Sequence, residues 1–419
     1  MKKNHSLSRR NFVGKLAAST LGAAISVDSF ALSGNKLGVF DNLMTSSNGK
    51  KVRIGIVGGG FGANFYWHEH PDCIVAAVTD LEPERRKKLQ QVYKCDNVYD
   101  SMEEMLRKAK DLDAVGIFTE APNHFRHSVA ALKAGKHVIC AVPTAMSLED
   151  NNELVNIVKE TGLTYMMAET SYWQQSTISA RKFFKNGEFG DLIHVDSMYQ
   201  HPGLSMLGYR NGKKTWRYGL PPMLYPTHCT AHYVGVTGGR LTEVVCHGWG
   251  NDQPFLKDNI YNNPFSNQTA MFKTENGKPF NVRRWDDGAF NGAERAEWIG
   301  EKMSFYGHTP NGQGPIMIRG GNATEKDDGG FIRTRNEKIE YQQPEWYLTD
   351  MLPKPLRHKS GHEGSHTFIT HEFIDSIVKN RKPAVDIYES VAYTVPGIVA
   401  HQSSLKGGEL LKIPNFDPS

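Results

Sequence analysis

Short apolar runs alternate with amphipathic stretches from about residue 51 to residue 170. The first run, Val52 to Val57, is rich in β-branched residues, which is typical of a strand covered on both faces. It leads into a glycine-rich turn, after which we expect a helix. This alternation predicts a doubly wound parallel sheet of the Rossmann type. The later strands are predicted at 74–78, 114–119, 137–141 and 164–168, and helices at 124–134 and 148–161.

The pattern changes after about residue 171, where strand-like runs follow one another. Asn276-Gly277, between two such runs, is a strong hairpin signal. We therefore predict a largely antiparallel sheet in a second domain, against which two amphipathic C-terminal helices pack. The strands are predicted at 192–201, 243–249, 269–274, 280–285, 302–307 and 315–319, and the helices at 365–379 and 388–405.

The length and composition fit an enzyme-sized α/β protein. A chain of 419 residues is too long for one compact core, so we predict a Rossmann domain over residues 49–170 and a substrate and oligomerisation domain over residues 171–419. Lys and Arg number 49 against 45 Asp and Glu, without any basic run. This balance predicts no nucleic-acid partner.

The N-terminus has the features of an export signal. Ser8-Arg9-Arg10-Asn11-Phe12-Val13 places twin arginines before a mildly apolar stretch too short to span a membrane. An ordinary basic, amphiphilic N-terminus is the alternative. We predict a twin-arginine signal and linker over residues 1–48, export to the periplasm, and no membrane attachment after the signal is removed. Because that route carries folded proteins, the five cysteines are expected to be buried free thiols.

The glycine-rich turn predicts a dinucleotide cofactor. Gly58, Gly60 and Ala63 occupy the first, second and last positions of G-x-G-x-x-G/A, and Asp80 ends the next strand about 20 residues later, where it would accept hydrogen bonds from an adenosine ribose. NAD is therefore preferred. NADP stays open, because Arg85 and Arg86 could receive a 2′-phosphate. A turn that merely joins two elements is the structural alternative. Phe61 and Gly62, within the turn, are further cofactor-binding candidates.

Polar residues follow two other strands at the same carboxyl edge, where cofactors bind in such sheets. Pro122, in Glu120-Ala121-Pro122-Asn123, can rigidify a loop beneath the nicotinamide half. Glu169 and Tyr172 come directly after the last parallel strand, with Trp173 beside them. They are candidates for acid–base chemistry and for stacking on a sugar, although structural roles are about as common for such residues.

The segment Tyr225-Pro226-Thr227-His228-Cys229-Thr230-Ala231-His232 carries the second chemical signal. Pro226 suits a first helical turn, so the two histidines share one face of a helix. The pair could bind a metal, but the carboxylate of H-E-x-x-H is missing, and we predict none. Histidines with satisfied hydrogen bonds are a second alternative. We favour proton transfer opposite a nicotinamide, because hydride transfer from a hydroxyl needs a base.

These motifs together resemble the Gfo/Idh/MocA family of oxidoreductases. The resemblance implies an N-terminal Rossmann domain, a C-terminal domain with an open antiparallel sheet, pairing into homo-oligomers, and sugars, inositols or glycosides as substrates. By the same resemblance, Asn123, His127 and Pro143 are expected at the cofactor site. The residues that carry it are Gly58-x-Gly60-x-x-Ala63, Asp80, Ala121-Pro122-Asn123-His124-x-x-His127, Ala134-Gly135-Lys136-His137-Val138, Glu372 to Ile377 and Arg381-x-Pro383.

Two positions depart from the family pattern. Val142 stands where the family commonly has its catalytic lysine, and His228 stands where it has the aspartate of Asp-x-Gly-x-His. The Val-Pro and Tyr-Pro-Thr-His segments look more like the branch that contains the NAD-dependent α-N-acetylgalactosaminidases, in which a histidine of Tyr-Pro-Thr-His is implicated in catalysis. Tyr225, His228 and Tyr172 carry over as site residues. Ala141 replaces the usual glutamate of that branch and leaves the sugar open.

These features predict an NAD-dependent enzyme acting on a carbohydrate without net oxidation. An exported enzyme has no soluble nicotinamide pool, so a cofactor loaded before export must be regenerated in every cycle. Glycoside cleavage through transient oxidation at C3 meets this condition. His228 is then expected as a base, Tyr225 and Tyr172 as positioning or protonating groups, and His232 as the residue that orients His228. A simple sugar dehydrogenase and an inactive sugar-binding protein are the alternatives.

Overall fold

The computed structural model describes residues 51–203, 207–290, 292–308, 313–321 and 324–418. The predicted signal and linker, residues 1–48, lie outside these ranges, so export stays a prediction. None of the helices in the described ranges is long and apolar enough to cross a membrane. All five cysteines are free and buried, as predicted.

The N-terminal half forms a six-stranded sheet in which every neighbouring pair is parallel. Its strands are β1 (Val52–Val57), β2 (Cys73–Thr79), β3 (Val98–Tyr99), β4 (Ala114–Ile117), β5 (His137–Cys140) and β6 (Tyr165–Met167). The helices are α1 (Pro83–Tyr93), α2 (Met102–Lys108), α3 (His124–Lys133) and α4 (Leu148–Thr161). The strand order β3-β2-β1-β4-β5-β6 is that of dinucleotide-binding domains and confirms the predicted Rossmann sheet.

The prediction of a helix directly after the glycine turn is wrong. Two short 3-10 turns, Gly62–Asn64 and Trp67–Glu69, follow β1 instead. Phe65, between them, is buried and stacks on Phe118 with ring centroids 4.6 Å apart. This ring draws the chain into the core, where a regular surface helix cannot continue. The hydroxyl of Tyr93 donates to the freed carbonyl of Phe65 (3.2 Å), so the backbone oxygen is satisfied without a helix.

A nine-stranded mixed sheet dominates the C-terminal half. Its strands are β7 (Leu192–Gln200), β10 (Leu241–Trp249), β11 (Asn267–Thr274), β12 (Pro279–Trp285), β13 (Ala293–Gly300), β14 (Met303–Tyr306), β15 (Ile316–Arg319), β18 (Glu337–Glu340) and β19 (Leu411–Lys412). Two separate hairpins pair β8 (Tyr209–Arg210) with β9 (Lys213–Lys214), and β16 (Thr324–Lys326) with β17 (Ile332–Thr334). The order β18-β15-β14-β13-β7-β12-β11-β10-β19 is antiparallel throughout except between β7 and β12, which confirms the largely antiparallel sheet.

Four helices accompany this sheet: α5 (Gln175–Lys185), α6 (Thr227–Thr237), α7 (Gly361–Val378) and α8 (Ile387–Leu405). The two predicted C-terminal helices are confirmed, although residues 362–364 of α7 have left-handed backbone angles. Nearly all of α6 is buried, since it packs against α5, α8, β7 and β13. This burial places His228, at the start of α6, beside the segment that follows β6.

Candidate active site

The glycine turn after β1 brings its backbone close to two neighbouring segments. Gly58 has a φ of 102°, and a Cβ there would lie 2.3 Å from the carbonyl oxygen of Phe118. A Cβ on Gly59 would lie 2.4 Å from the carbonyl oxygen of Arg85. Gly60 faces open space, since the nearest atom to a Cβ there is 3.8 Å away. The turn is therefore a backbone cradle open at Gly60, which fits the pyrophosphate of a dinucleotide.

Asp80 ends β2 beside this cradle and is almost completely buried. Its Oδ2 accepts a hydrogen bond from the backbone N–H of Gly59 (2.6 Å), and its Oδ1 accepts one from the N–H of Glu82 (2.8 Å). Each oxygen keeps a second lone pair for a ribose hydroxyl. Asp80 thus both fixes the turn and fits the predicted ribose contact.

Arg85 and Arg86, which could have bound the 2′-phosphate of NADP, are paired with acidic residues. Arg86 forms an ion pair with Asp100 (3.0 Å), and Arg85 lies 3.6 Å from Glu82. A 2′-phosphate would have to compete with these carboxylates and with the negative charge of Asp80. The arrangement favours NAD.

The ends of β4 and β5 continue the cofactor edge. Pro122 and Asn123 lie in a 3-10 turn directly before α3. Pro143 follows β5, and its carbonyl accepts a hydrogen bond from Nδ1 of the buried His124 (2.7 Å). His124 therefore ties the start of α3 to the loop after β5, and the predicted residues Pro122, Asn123 and Pro143 lie along one edge.

His127 does not have the predicted cofactor contact available. Its Nδ1 bonds to the hydroxyl of Thr119 (2.9 Å), and its Nε2 accepts from Arg126 (2.8 Å). Burial and the charge of Arg126 lower the pKa of His127 to about 4, so the ring is neutral and both nitrogens are occupied. His127 supports Thr119, which follows β4, rather than facing a cofactor.

His228 and Glu169 form a buried pair at the carboxyl end of β6. Nδ1 of His228 lies 2.7 Å from Oε1 of Glu169, and the two residues are 5% and 0% exposed. The backbone N–H of Ser171 donates to the same Oε1 (2.8 Å), while Oε2 has no partner among the described residues. Because Nδ1 is held by the carboxylate, Nε2 is the ring nitrogen left for a ligand.

A second carboxylate, that of Glu294, lies beside the Glu169–His228 pair, and the sequence did not predict it. Its Oε1 lies 3.8 Å from Nδ1 of His228. The hydroxyl of Ser171 and Nε2 of Gln174 (2.7 Å) both donate to Oε1. Glu294 lies on β13, which the apolar pattern did not predict. Its period-2 spacing with the buried Ala296 and Trp298 is the signal that could have placed a carboxylate on the inner face.

The three groups hold one another in unequal protonation states. Burial would lower the pKa of His228, but the charges of Glu169 and Glu294 outweigh it and raise that pKa to about 10. Burial would raise the pKa of Glu169, yet the imidazolium keeps it below its ordinary value. Burial and the charge of Glu169 raise the pKa of Glu294 despite His228. At neutral pH His228 is therefore cationic in the absence of a ligand, so it must lose a proton before it can act as the predicted base.

Aromatic rings surround His228 on its open side. Tyr225 lies 5.3 Å and Tyr199 lies 4.8 Å from the imidazole, centroid to centroid. The guanidinium of Arg217 covers the Tyr225 ring at 4.8 Å, and its NH1 has no partner among the described residues. Tyr225 is thus brought to the site as predicted, next to a guanidinium that can donate hydrogen bonds to the hydroxyl groups of a sugar.

The orienting role predicted for His232 falls to Glu169 instead. Nδ1 of His232 accepts from the hydroxyl of Ser197 (2.7 Å), and its Nε2 bonds to Oε1 of Gln174 (3.3 Å). Burial lowers its pKa to about 3, so the ring is neutral. The helical spacing correctly predicted that the two histidines share one face of α6. The contacts of each ring, however, are decided by the buried polar groups around it. The described residues contain no group of three or more His, Cys, Asp or Glu side chains that could hold a metal.

Tyr172 is not brought to His228. Its ring packs under the guanidinium of Arg181 at 3.8 Å and against Gly235, where a Cβ would lie 2.7 Å from the ring. Gly235 is seven residues from His228, about 10 Å along α6. Tyr172 therefore packs the helix from behind, because Glu169 and Ser171 already occupy the space at His228.

The start of α7 joins the glycine turn to the histidine cluster. His362 contacts Phe61 of the turn at 5.7 Å, and its Nδ1 donates to Nε2 of His366 (2.8 Å). Burial and the positive charge of His228 lower the pKa of His362 to about 4. The ring contact between Phe61 and His362 therefore joins the glycine turn to the start of α7.

Two family models match the chain. Residues 52–169 match the Gfo/Idh/MocA model, the oxidoreductase family with an NAD-binding Rossmann fold, and residues 334–419 match the glycosyl hydrolase 109 C-terminal domain. A glycosyl hydrolase family 109 protein of Parabacteroides distasonis is 23% identical over 98% of this chain and 96% of its own length. That of Solibacter usitatus is 25% identical over 75% and 73%.

Solved structures show the same fold at lower identity. Levoglucosan dehydrogenase in complex with NADH superimposes with a TM-score of 0.69 at 16% identity, covering 88% of this chain and all of that one. The scyllo-inositol dehydrogenase of Lactobacillus casei with NAD(H) and scyllo-inositol gives 0.63 at 17% identity, covering 87% and 99%. The chain thus combines an NAD-binding Rossmann domain that matches the Gfo/Idh/MocA oxidoreductase model with a C-terminal segment that matches the glycosyl hydrolase 109 model, in agreement with the resemblance of its motifs.

Proposed function

We propose that this enzyme cleaves a glycoside without net oxidation, through transient oxidation at C3 of the sugar by an NAD that stays bound. The observation that carries this proposal is the buried Glu169–His228 pair at the cofactor edge. Val142, at the position of the family's usual lysine, is itself buried and cannot transfer a proton. Among the described residues, the acid–base group that stands at this edge in place of a lysine is therefore centred on His228.

The chain's own residues supply the proton chemistry. Bound NAD would accept a hydride from the sugar and return it within the same cycle. His228 would lose its proton more readily beside a positively charged nicotinamide, because a like charge lowers the pKa of a cationic acid. Nε2 of His228 could then accept the proton of the C3 hydroxyl, while Glu169 holds the ring through Nδ1 and stabilises the imidazolium. Tyr225 and Arg217 would position the sugar.

An ion pair beside the adenosine end of the cofactor site supports retention of the cofactor. Arg210, in the β8–β9 hairpin of the C-terminal half, pairs with Glu82 at 2.9 Å, two residues after the ribose-binding Asp80. The hairpin therefore reaches over the adenosine end. The twin-arginine segment adds a reason for retention, because we propose that the enzyme works outside the cytoplasm, where no nicotinamide pool can replace a lost cofactor.

The test is turnover without added cofactor. Purified protein is first analysed by mass for bound NAD and then incubated with a panel of α- and β-glycosides in deuterated water. The proposal expects release of the aglycone with no net change in NADH absorbance, and deuterium at C2 of the released sugar. Stoichiometric reduction of added NAD with accumulation of a keto-sugar or lactone would show a simple dehydrogenase instead. Tight sugar binding without turnover would show a sugar-binding protein.

A further inference from the structure

We propose that Glu294 is the residue that protonates the departing glycosidic oxygen. This inference rests on the proposed function, since it assigns a residue to the bond-breaking step of that reaction. The sequence motifs offered Tyr225 and Tyr172 as positioning or protonating groups and did not predict Glu294. Glu294 was found only because β13 places it opposite His228.

The hydrogen bonds of Glu294 leave one oxygen for a ligand. Oε1 receives the hydroxyl of Ser171 and the amide of Gln174, and it also faces Nδ1 of His228. Oε2 has no hydrogen-bond partner among the described residues, and the side chain is 18% exposed. A carboxyl group with one saturated oxygen and one open oxygen carries its proton on the open one. Oε2–H of Glu294 is therefore the donor that a bound sugar would meet.

The surrounding charges favour the protonated form. Glu294 is faced by Glu169 behind the Ser171 turn, by His228 on α6 and by Glu363 at the start of α7. Glu169 stays ionised because it is bonded directly to His228. A second carboxylate beside it cannot ionise as easily, since one imidazolium compensates only one buried negative charge. In this cluster Glu169 is therefore the ionised carboxylate and Glu294 is the protonated one.

The assigned step balances. Once C3 is a ketone and the C2 proton has been removed, the electron pair of the enolate forms the C1–C2 double bond and the C1–O bond breaks. The leaving oxygen takes the proton from Oε2 of Glu294, which becomes a carboxylate. Water then adds to C1 of the unsaturated ketone, Glu294 recovers its proton from that water as general base, and the resulting enolate takes a solvent-derived proton at C2 before hydride returns to C3.

Leaving-group dependence tests this assignment directly. Glu294→Gln keeps an Oε1 acceptor for Ser171 and Gln174 but removes the acid. We expect kcat for alkyl glycosides, which have basic leaving groups, to fall by about 10²- to 10⁴-fold, while kcat for nitrophenyl glycosides falls by less than about tenfold. The decline of the alkyl-glycoside rate at high pH should also vanish in this variant. Equal losses for both classes of glycoside would overturn the assignment.

A neighbouring carboxylate supplies the matched control. Glu297 lies on the same strand and pairs with Arg295 at 2.8 Å, so Glu297→Gln should change neither class of glycoside. An infrared difference spectrum of the holoenzyme at neutral pH gives a readout that needs no turnover. The wild type should show the carbonyl band of a protonated carboxyl that Glu294→Gln lacks, and a wild type without that band would overturn the inference. Absence of aglycone release by the wild type, with the band present, would instead refute the proposed function and with it the leaving-group role, while the protonated state of Glu294 would stand.

Discussion

His228 and His232 lie one helical turn apart on α6 and face the same strand, yet they have opposite chemistry. Tyr199 and Ser197, two residues apart on β7, contact His228 and His232 in turn, because one helical turn and two strand residues span similar distances. His228 meets two carboxylates and is cationic, whereas His232 meets a hydroxyl and an amide and is neutral. The partners of a buried histidine, not its spacing, decide what it can do.

Removing His228 should give the largest effect. His228→Gln deletes the proton carrier, and we expect kcat to fall by about 10²- to 10⁴-fold, equivalent to about 2.7–5.4 kcal/mol of transition-state stabilisation. NAD content should stay near that of the wild type, since the cofactor edge does not depend on this ring, whereas folding stability should fall because the buried Glu169 loses its cationic partner. Turnover within a few fold of the wild type would refute the assigned role.

Neutralising Glu169, the partner of His228, should lower kcat less than removing His228 itself. Glu169→Gln leaves an acceptor for Nδ1 but removes the charge that raises the pKa of His228, so burial should then lower that pKa. We expect a loss of kcat of roughly 10- to 100-fold, the range found for carboxylate partners of functional histidines. The ionisation of His228 should therefore appear at lower pH in the kcat/KM profile of this variant than in that of the wild type. An unchanged profile would contradict the pairing.

Altering His232 should affect stability more than chemistry. His232→Ala leaves the hydroxyl of Ser197 and the amide of Gln174 without a buried partner, which costs about 1–2 kcal/mol of folding free energy. Denaturant unfolding of the holoenzyme measures this loss. We expect kcat to fall by much less than in His228→Gln, through the weakened hold of Gln174 on Glu294. A loss of kcat equal to that of His228→Gln would contradict the assignment of a catalytic role to His228 and a structural role to His232.

The pH dependence of stability should separate the two histidines by sign. The folded pKa of His228 lies above its unfolded value of 6.5, so its contribution is complete below about pH 6.5 and is lost as pH rises toward about 10. The folded pKa of His232 is depressed to about 3, so stability falls as pH drops from about 6.5 toward 3. Each slope is at most about 1.4 kcal/mol per pH unit.

Equilibrium unfolding from pH 4 to pH 9 measures both slopes, with His228→Gln as the control for the alkaline one. That variant should lose the decline above neutral pH and keep the decline in acid. The acid slope is shared with other buried histidines whose pKa values are also lowered, among them His70, His124, His127, His366 and His401. An alkaline decline that persists in His228→Gln would have another source.

The cofactor edge was predictable from the sequence because it is built from local backbone features. Gly58, Gly60 and Asp80 have their roles through strand ends and a turn, and these features have short-range signatures. Phe65 overrode the expected helix there, since a tertiary ring contact decides the path of the chain. The histidine cluster was predicted only in part. Glu169 and His228 could be named individually, but their pairing depends on packing between segments 59 residues apart.

Glu294 shows why the remainder could not be predicted. It joins the cluster only because β13 pairs with β7 in one register, which sets Glu294 opposite Tyr199 and turns both toward α6. A shift of one residue would turn the carboxylate to the other face of the sheet. Tyr172 was misplaced for a related reason, because it lies three residues after Glu169 in a 3-10 turn that directs its side chain behind α6.

The protonation state of the two histidine rings tests the central claim most directly. Nuclear magnetic resonance of the holoenzyme with ¹⁵N-labelled histidine, assigned through His228→Gln and His232→Ala, reports whether each ring nitrogen carries a proton. We predict that at pH 7 both nitrogens of His228 are protonated and that His232 is neutral with its proton on Nε2. A neutral His228 at pH 7, with an ordinary pKa near 6.5, would contradict the account.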